Sequence, residues 1–206
     1  MAGGALSRQR KTPGGLSNRL RIIGGRWRGR KLDFPAVEGL RPTPDRLRET
    51  LFNWLQNDIP GARCLDLFAG SGALGLEALS RGAARAVLVD ASRQVTQQLE
   101  AHLRSLRCHD AAVINLSAQS FLERGPGSTH YDIVFLDPPF HQGLIAVCAR
   151  LLEEKGWLAP GARIYLECER DLTLTGIPAH WEIHREKTAG QVAYRLATRQ
   201  PPNKKT

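Results

Sequence analysis

Two short stretches carry residues able to do chemistry. The first, LDLFAGSGALGL over residues 65–76, sets Asp66 inside an apolar run and follows it with Phe68, Ala69, Gly70, Ser71, Gly72 and Gly75. Glycines at this spacing permit a tight turn and let backbone amides come close to a ligand. A lone GxGxxG also occurs in ordinary flexible turns. Here Asp90 ends the next apolar run twenty residues after Gly70, with Ala91 behind it. A carboxylate at that place accepts ribose hydroxyls, so a nucleoside-containing cofactor is expected. Asp66 narrows the choice. A carboxylate beneath the loop suits the ammonium of a methionine moiety and repels a dinucleotide pyrophosphate, which points to S-adenosylmethionine. The alternative for Asp66 is to tie down loop amides, since an acid in an apolar strand needs a partner. An adenine edge would be read by backbone around Ala118, after the third apolar run.

The second stretch, IVFLDPPF over residues 133–140, delivers Asp137, Pro138, Pro139 and Phe140 from a buried strand. Two prolines remove two amide donors and stiffen the turn, leaving carbonyls as fixed acceptors. An exocyclic amine of a nucleobase has two N–H bonds to give, and the Asp137 side chain with the Pro138 carbonyl can accept both. That favours a more pyramidal, nucleophilic nitrogen. Phe140 would stack on a base turned out of its helix, unless it is a core aromatic. The expected chemistry is methyl transfer to that amine, which needs positioning and no metal.

These residues need a scaffold that brings both loops to one edge. From residue 63 onward apolar runs alternate with helical patterns, the signature of βαβ units and a mostly parallel sheet. Strands are expected at 64–68, 86–90, 112–116, 133–137 and 164–167, and helices at 73–81, 93–107, 118–123 and 144–155. Runs at 181–186 and 191–198 leave no room for a crossover helix and read as a C-terminal antiparallel hairpin. The expected class is an α/β, Rossmann-like seven-stranded sheet. Upstream, RLRIIGGRWRGRKLDF reads as a β-hairpin with one cationic face. RPTPDRLRETLFNWLQ reads as a helix with Thr43 as N-cap and Pro44 at the first helical position.

The net charge of +9 is uneven: residues 1–31 hold nine basic side chains and no acid, leaving twenty of each sign in the rest. A neutral body with a basic front end suits a polyanion, because cations bound to phosphates release condensed counterions. The division expected is a disordered basic tail at 1–18, a hairpin and helix at 19–60, the catalytic body at 61–199 and a second tail at 200–206. Four scattered cysteines without a CxxC pair read as reduced thiols, not as zinc ligands or disulfides. No apolar run is long enough for a membrane span and no secretory signal is evident, so a cytoplasmic protein is expected, with no exposed apolar stripe to demand a partner and hence a monomer.

The order RIIGGRWRGRKL, RPTPDRLRETLFNWL, LDLFAGSGALGLEALSRGA and FLDPPF resembles the RsmD family of class I methyltransferases, from about residue 21 to 198. The resemblance implies methylation of guanine N2 in 16S ribosomal RNA, at the family's target guanine 966 in the small subunit. It also implies S-adenosylmethionine held by Asp66, the Gly70–Gly75 loop and Asp90, and a catalytic loop at 137–140. The segment around Thr43 would lie beside the cofactor and target base. Arg41, Arg46 and Arg48 would contact RNA phosphates or the methionine carboxylate, unless they pair with Asp45 and Glu49 along the helix. Arg21, Arg26 and Arg28 would grip RNA, and Trp27 would either stack on it or pack on the sheet. Competing readings are a DNA adenine-N6 methyltransferase, a nucleotide-binding oxidoreductase and a non-catalytic RNA-binding module. Nothing in residues 137–140 separates guanine from adenine.

Overall fold

In the computed structural model residues 18–34 and 44–201 are described. Arg41 and Thr43, residues 1–17 of the N-terminal tail and residues 202–206 lie outside them. Strand β1 (Asn18–Arg21) pairs antiparallel with β2 (Lys31–Phe34) through a turn containing a short 3-10 segment, Gly25–Trp27. Alternation sets Leu20, Ile22, Leu32 and Phe34 inward and Arg19, Arg21, Lys31 and Asp33 outward. The outer face is therefore basic, in keeping with the charge pattern of the sequence.

Helix α1 (Asp45–Trp54) starts one residue later than expected: Pro44 is its N-cap in extended conformation, and its carbonyl accepts the N–H groups of Leu47 and Arg48. Proline's fixed φ serves the capping position as well as the first turn. The body then runs β3 (Arg63–Asp66), α2 (Gly75–Ser80), β4 (Arg85–Asp90), α3 (Arg93–Ser105), β5 (Ala111–Asn115), α4 (Ala118–Glu123), β6 (Tyr131–Leu136), α5 (Leu144–Glu154), β7 (Leu158–Glu169), β8 (Trp181–Ala189) and β9 (Val192–Arg199). Strand β7 is longer than expected at its start. The chain passes through Pro160-Gly161 as a bulge between the Tyr131–Leu158 and Ile133–Arg163 pairs.

The seven strands order as β5-β4-β3-β6-β7-β9-β8, parallel up to β7 and antiparallel across β9 and β8. The hairpin, α1, α2 and α3 cover one face in a single apolar cluster with Phe135, Tyr165 and Leu196. Helices α4 and α5 cover the other with Val134, Ile164 and Leu166. The chain moves outward from β3 to β5 and then returns beside β3 with β6. This reversal opens a crevice at the carboxyl ends of β3 and β6, where open α/β sheets bind ligands. All four cysteines are buried free thiols. Among the described residues, no helix is long and apolar enough to cross a membrane.

Candidate active site

The glycine loop leaves β3 and turns on Gly70 (φ +49°) and Gly72 (φ +80°), conformations costly for a side chain. Its shape is held by two acids. Asp66 Oδ2 accepts the Gly75 N–H at 2.9 Å, and Gly75 has no room for a side chain, because a Cβ there would stand 2.1 Å from Leu88 Cδ2. Asp90 accepts the Gly70 N–H through Oδ2 (2.9 Å) and the Ser92 N–H through Oδ1 (2.8 Å). Asp66 thus does tie down a loop amide, the alternative raised from the sequence. Burial pushes its carboxyl up to about 7, with the Gly75 N–H opposing and the Asp90 charge adding.

The loop fits the expected cofactor. Each ionised carboxylate has about four lone-pair sites, so Asp90, half-exposed and with one amide on each oxygen, keeps acceptor capacity for ribose hydroxyls. Phe68 is half-buried against the lower core; Ala69 and Ser71 are buried in the turn. Exposed Ala91 and Asp90 are joined to β5 by Asn115, whose side-chain amide donates to both their carbonyls. Ala118 is buried at the start of α4, capped by Ser117.

One strand over, β6 ends at Leu136 and releases Asp137, Pro138, Pro139 and Phe140. Phe140 is 39% exposed, so it is not a core ring and its face is available for stacking. The loop is tied down at its far end by Glu169, which accepts the His141 N–H and lies 3.2 Å from its ring Nδ1; His141 sits at φ +61°. Asp137 is half-buried. Burial, then the carboxylates of Glu167 and Asp66, push its carboxyl well above the usual range. A cleft of about 660 Å³ opens beside it, lined by Pro138, Phe140, Leu144, Glu167, Glu169 and Gln191 among others. That volume falls within the usual range for small-molecule sites, about 300–1,000 Å³.

Sequence reasoning missed Glu167, Glu169 and Glu77. For the first two the signal was present: acids at the end of the apolar run IYLECE are as conspicuous as Asp66 or Asp137. Glu77, 1% exposed, gave no such signal. Its carboxylate accepts the N–H groups of Ile23 and Gly24 (both 2.8 Å) and Arg81 Nε (2.6 Å). It fastens the basic hairpin to the helix that follows the glycine loop.

The arginines divide. Arg48 is 1% exposed and donates to Asp45 Oδ1 (2.5 Å) and to the Arg21 carbonyl (2.9 Å), with Glu77 at 3.7 Å. In this conformation it braces the hairpin against α1, with its guanidinium buried away from solvent. Arg21 pairs with Asp45 (3.0 Å) and Arg26 with Asp110 (3.4 Å), both at the surface. Such exposed pairs are worth about 0–1 kcal/mol and yield readily to a phosphate. Arg26 lies 4.1 Å over the Trp27 ring, which is half-buried against the core, so packing is the role observed for Trp27. Arg28 and Arg46 are exposed. Burial and Glu167 push the Tyr194 phenol up, while the charge of Arg46 opposes.

A seven-stranded sheet with this topology, a glycine loop after β3 and an Asp-Pro-Pro-Phe loop after β6 define a class I methyltransferase, the class whose methyl donor is S-adenosylmethionine. The family model described as conserved hypothetical protein 95 matches residues 20–198, and the chain belongs to that family, the RsmD family. It is 56% identical over 184 residues to ribosomal RNA small subunit methyltransferase D of Escherichia coli strain K12, covering 89% of this chain and 92% of the relative. The protein of that name from Haemophilus influenzae is 50% identical, over 86% and 92% of the two chains. A solved methyltransferase structure from Escherichia coli superposes with a TM-score of 0.82 at 54% identity, covering 89% of this chain and 99% of that one.

Proposed function

We propose that the protein transfers a methyl group from S-adenosylmethionine to the exocyclic N2 of a guanine in 16S ribosomal RNA, the target being the family's guanine 966. The observation that carries this reading is the Asp137–Phe140 loop. It presents a half-buried acid, a rigid Pro-Pro turn and an exposed ring on the strand paired with β3, whose end carries the glycine loop, with Asp66 close enough to act on the Asp137 carboxyl. The named relatives support an RNA of the small subunit as substrate. The protein acts as a cytoplasmic monomer on the small subunit or its assembly intermediate.

Asp66, the turn from Phe68 to Gly75, Asp90 and the backbone at Ala91 and Ala118 hold the cofactor, with Thr43 as a further contact. When bound, S-adenosylmethionine supplies an electrophilic methyl carbon on a sulfonium. Phe140 stacks on the extruded base, a contact worth on the order of 1–3 kcal/mol. Asp137 and the Pro138 carbonyl accept hydrogen bonds from the two amine N–H groups and fix the nitrogen lone pair in one direction. The raised affinity of Asp137 for a proton suits it to take the proton that the methylated nitrogen must lose. Arg21, Arg26, Arg28, Arg41 and Arg46 supply phosphate contacts around this point.

The test is transfer of labelled methyl from S-adenosylmethionine to small-subunit particles from a strain lacking the enzyme, followed by nucleoside analysis. N2-methylguanosine at one site is expected. N6-methyladenine on added DNA, or no transfer to either polymer, overturns the reading.

A further inference from the structure

The Asp137–Phe140 loop accounts for an amine but not for the choice of base. Beyond the Leu136–Leu166 pair, the parallel register of β6 and β7 brings Asp137 and Glu167 side by side at the mouth of the cleft. Because side chains two apart share a face of a strand, both follow Phe135 and Tyr165 onto the same side of the sheet. Glu167 is 7% exposed, lines the cleft with Pro138, Pro139 and Phe140, and is aimed by Tyr165, whose hydroxyl donates to Oε2 at 2.7 Å. A second carboxyl is thus held beside Asp137, in a place where the target base would present the ring atom next to its amine.

That atom distinguishes the purines. Guanine carries N1–H beside its amine and offers two adjacent donors. Adenine carries an unprotonated N1 beside its amine, a lone pair that would face the carboxylate. We propose, resting on guanine-N2 methylation as the activity, that Glu167 accepts the N1–H of the target guanine and is the residue that selects guanine over bases lacking that donor. A pair of donors also suits the site electrostatically. Burial raises both carboxyls above their usual range, with the Glu167 and Asp66 charges adding at Asp137 and the Tyr165 hydroxyl opposing at Glu167, and two N–H groups favour their ionised forms. A buried acceptor left facing a lone pair loses its bond and stays desolvated, so discrimination against such a base is strong.

The experiment uses small-subunit particles reconstituted with guanine or 2-aminopurine at the methylated position. 2-Aminopurine keeps the amine but has no N1–H. Wild-type kcat/KM should fall by about 10–100-fold on 2-aminopurine, the worth of a hydrogen bond to a charged group. Glu167→Gln keeps a partner for the Tyr165 hydroxyl and can turn its amide N–H toward N1. In that variant guanine should lose about tenfold or more, and the guanine/2-aminopurine ratio should collapse toward one, with S-adenosylmethionine affinity by calorimetry unchanged. If wild type treats the two bases alike, Glu167 does not read N1–H, and guanine methylation still stands. Equal losses on both bases in Glu167→Gln also overturn the proposal, because they describe a residue that only positions Asp137. No transfer to guanine by wild type removes the activity itself and the proposal with it.

Discussion

Replacing Glu77 by Gln tests how the basic hairpin is attached to the cofactor loop. The carboxylate is 1% exposed and serves four groups: the amides of Ile23 and Gly24, Arg81 Nε at 2.6 Å, and the buried Arg48 guanidinium at 3.7 Å. Glutamine preserves the shape but removes the charge, and one end of its amide meets donors with a donor. Hydrogen bonds to a charged acceptor are worth about 1.5–3 kcal/mol and neutral ones about 0.5–1.5 kcal/mol. Uncoupling a buried ion pair costs about 3–5 kcal/mol. These contributions overlap, and Arg81 is partly solvated, so the expected loss is ~3–5 kcal/mol in all, not their sum. With a urea slope of about 1–3 kcal/mol/M, the unfolding midpoint should drop by roughly 1–5 M. Hydrogen exchange of the Ile23 and Gly24 amides gives the local readout, and both should lose protection. A midpoint within about 0.3 M of wild type, together with unchanged protection of those two amides, would refute this account of the attachment.

Asp137→Ala should abolish methyl transfer while leaving S-adenosylmethionine affinity within a few-fold of wild type; turnover near wild type would remove Asp137 from the chemistry. Gly25→Ala should destabilise by at least ~2 kcal/mol, because φ is +72° and the new Cβ would lie 1.7 Å from the Ser80 carbonyl oxygen. Gly29→Ala, at φ +83° with open space around it, should cost only about 1 kcal/mol, and equal thermal shifts in the two variants would contradict the packing argument. Asp66 holds its proton up to about pH 7, above its ordinary 3.8, so its contribution to stability is full below about pH 4 and is lost as pH rises through 7. Asp66→Asn should erase up to ~4 kcal/mol of that decline in the cofactor-free protein, and parallel stability–pH curves would show that Asp66 is not its source. Neutral replacement of Arg21, Arg26 and Arg28 should weaken RNA binding and lower the salt slope by about 0.7–0.9 for each phosphate no longer neutralised; an unchanged slope excludes them as phosphate partners.

Much of the fold was legible in the sequence because it rests on local periodicity. Apolar runs alternating with helical patterns determined the parallel sheet, and the absence of a crossover between residues 186 and 191 determined the terminal hairpin. The two loops were legible for a related reason, since glycines, prolines and isolated acids in apolar strands are costly unless a local conformation or a partner requires them. Long-range pairing carries no such local mark. Only the tertiary structure decided that Arg48, an ordinary helical arginine in sequence, is buried against Glu77 and the hairpin carbonyl of Arg21. Only the register of β6 against β7 decided that Glu167 stands beside Asp137, because the two are thirty residues apart in the chain. The sequence by itself thus determined which chemistry the chain carries, through residue types that local structure must accommodate. The choice of neighbours for each buried charge belongs to the packed molecule, where the cost of an unpaired charge selects one arrangement of distant segments.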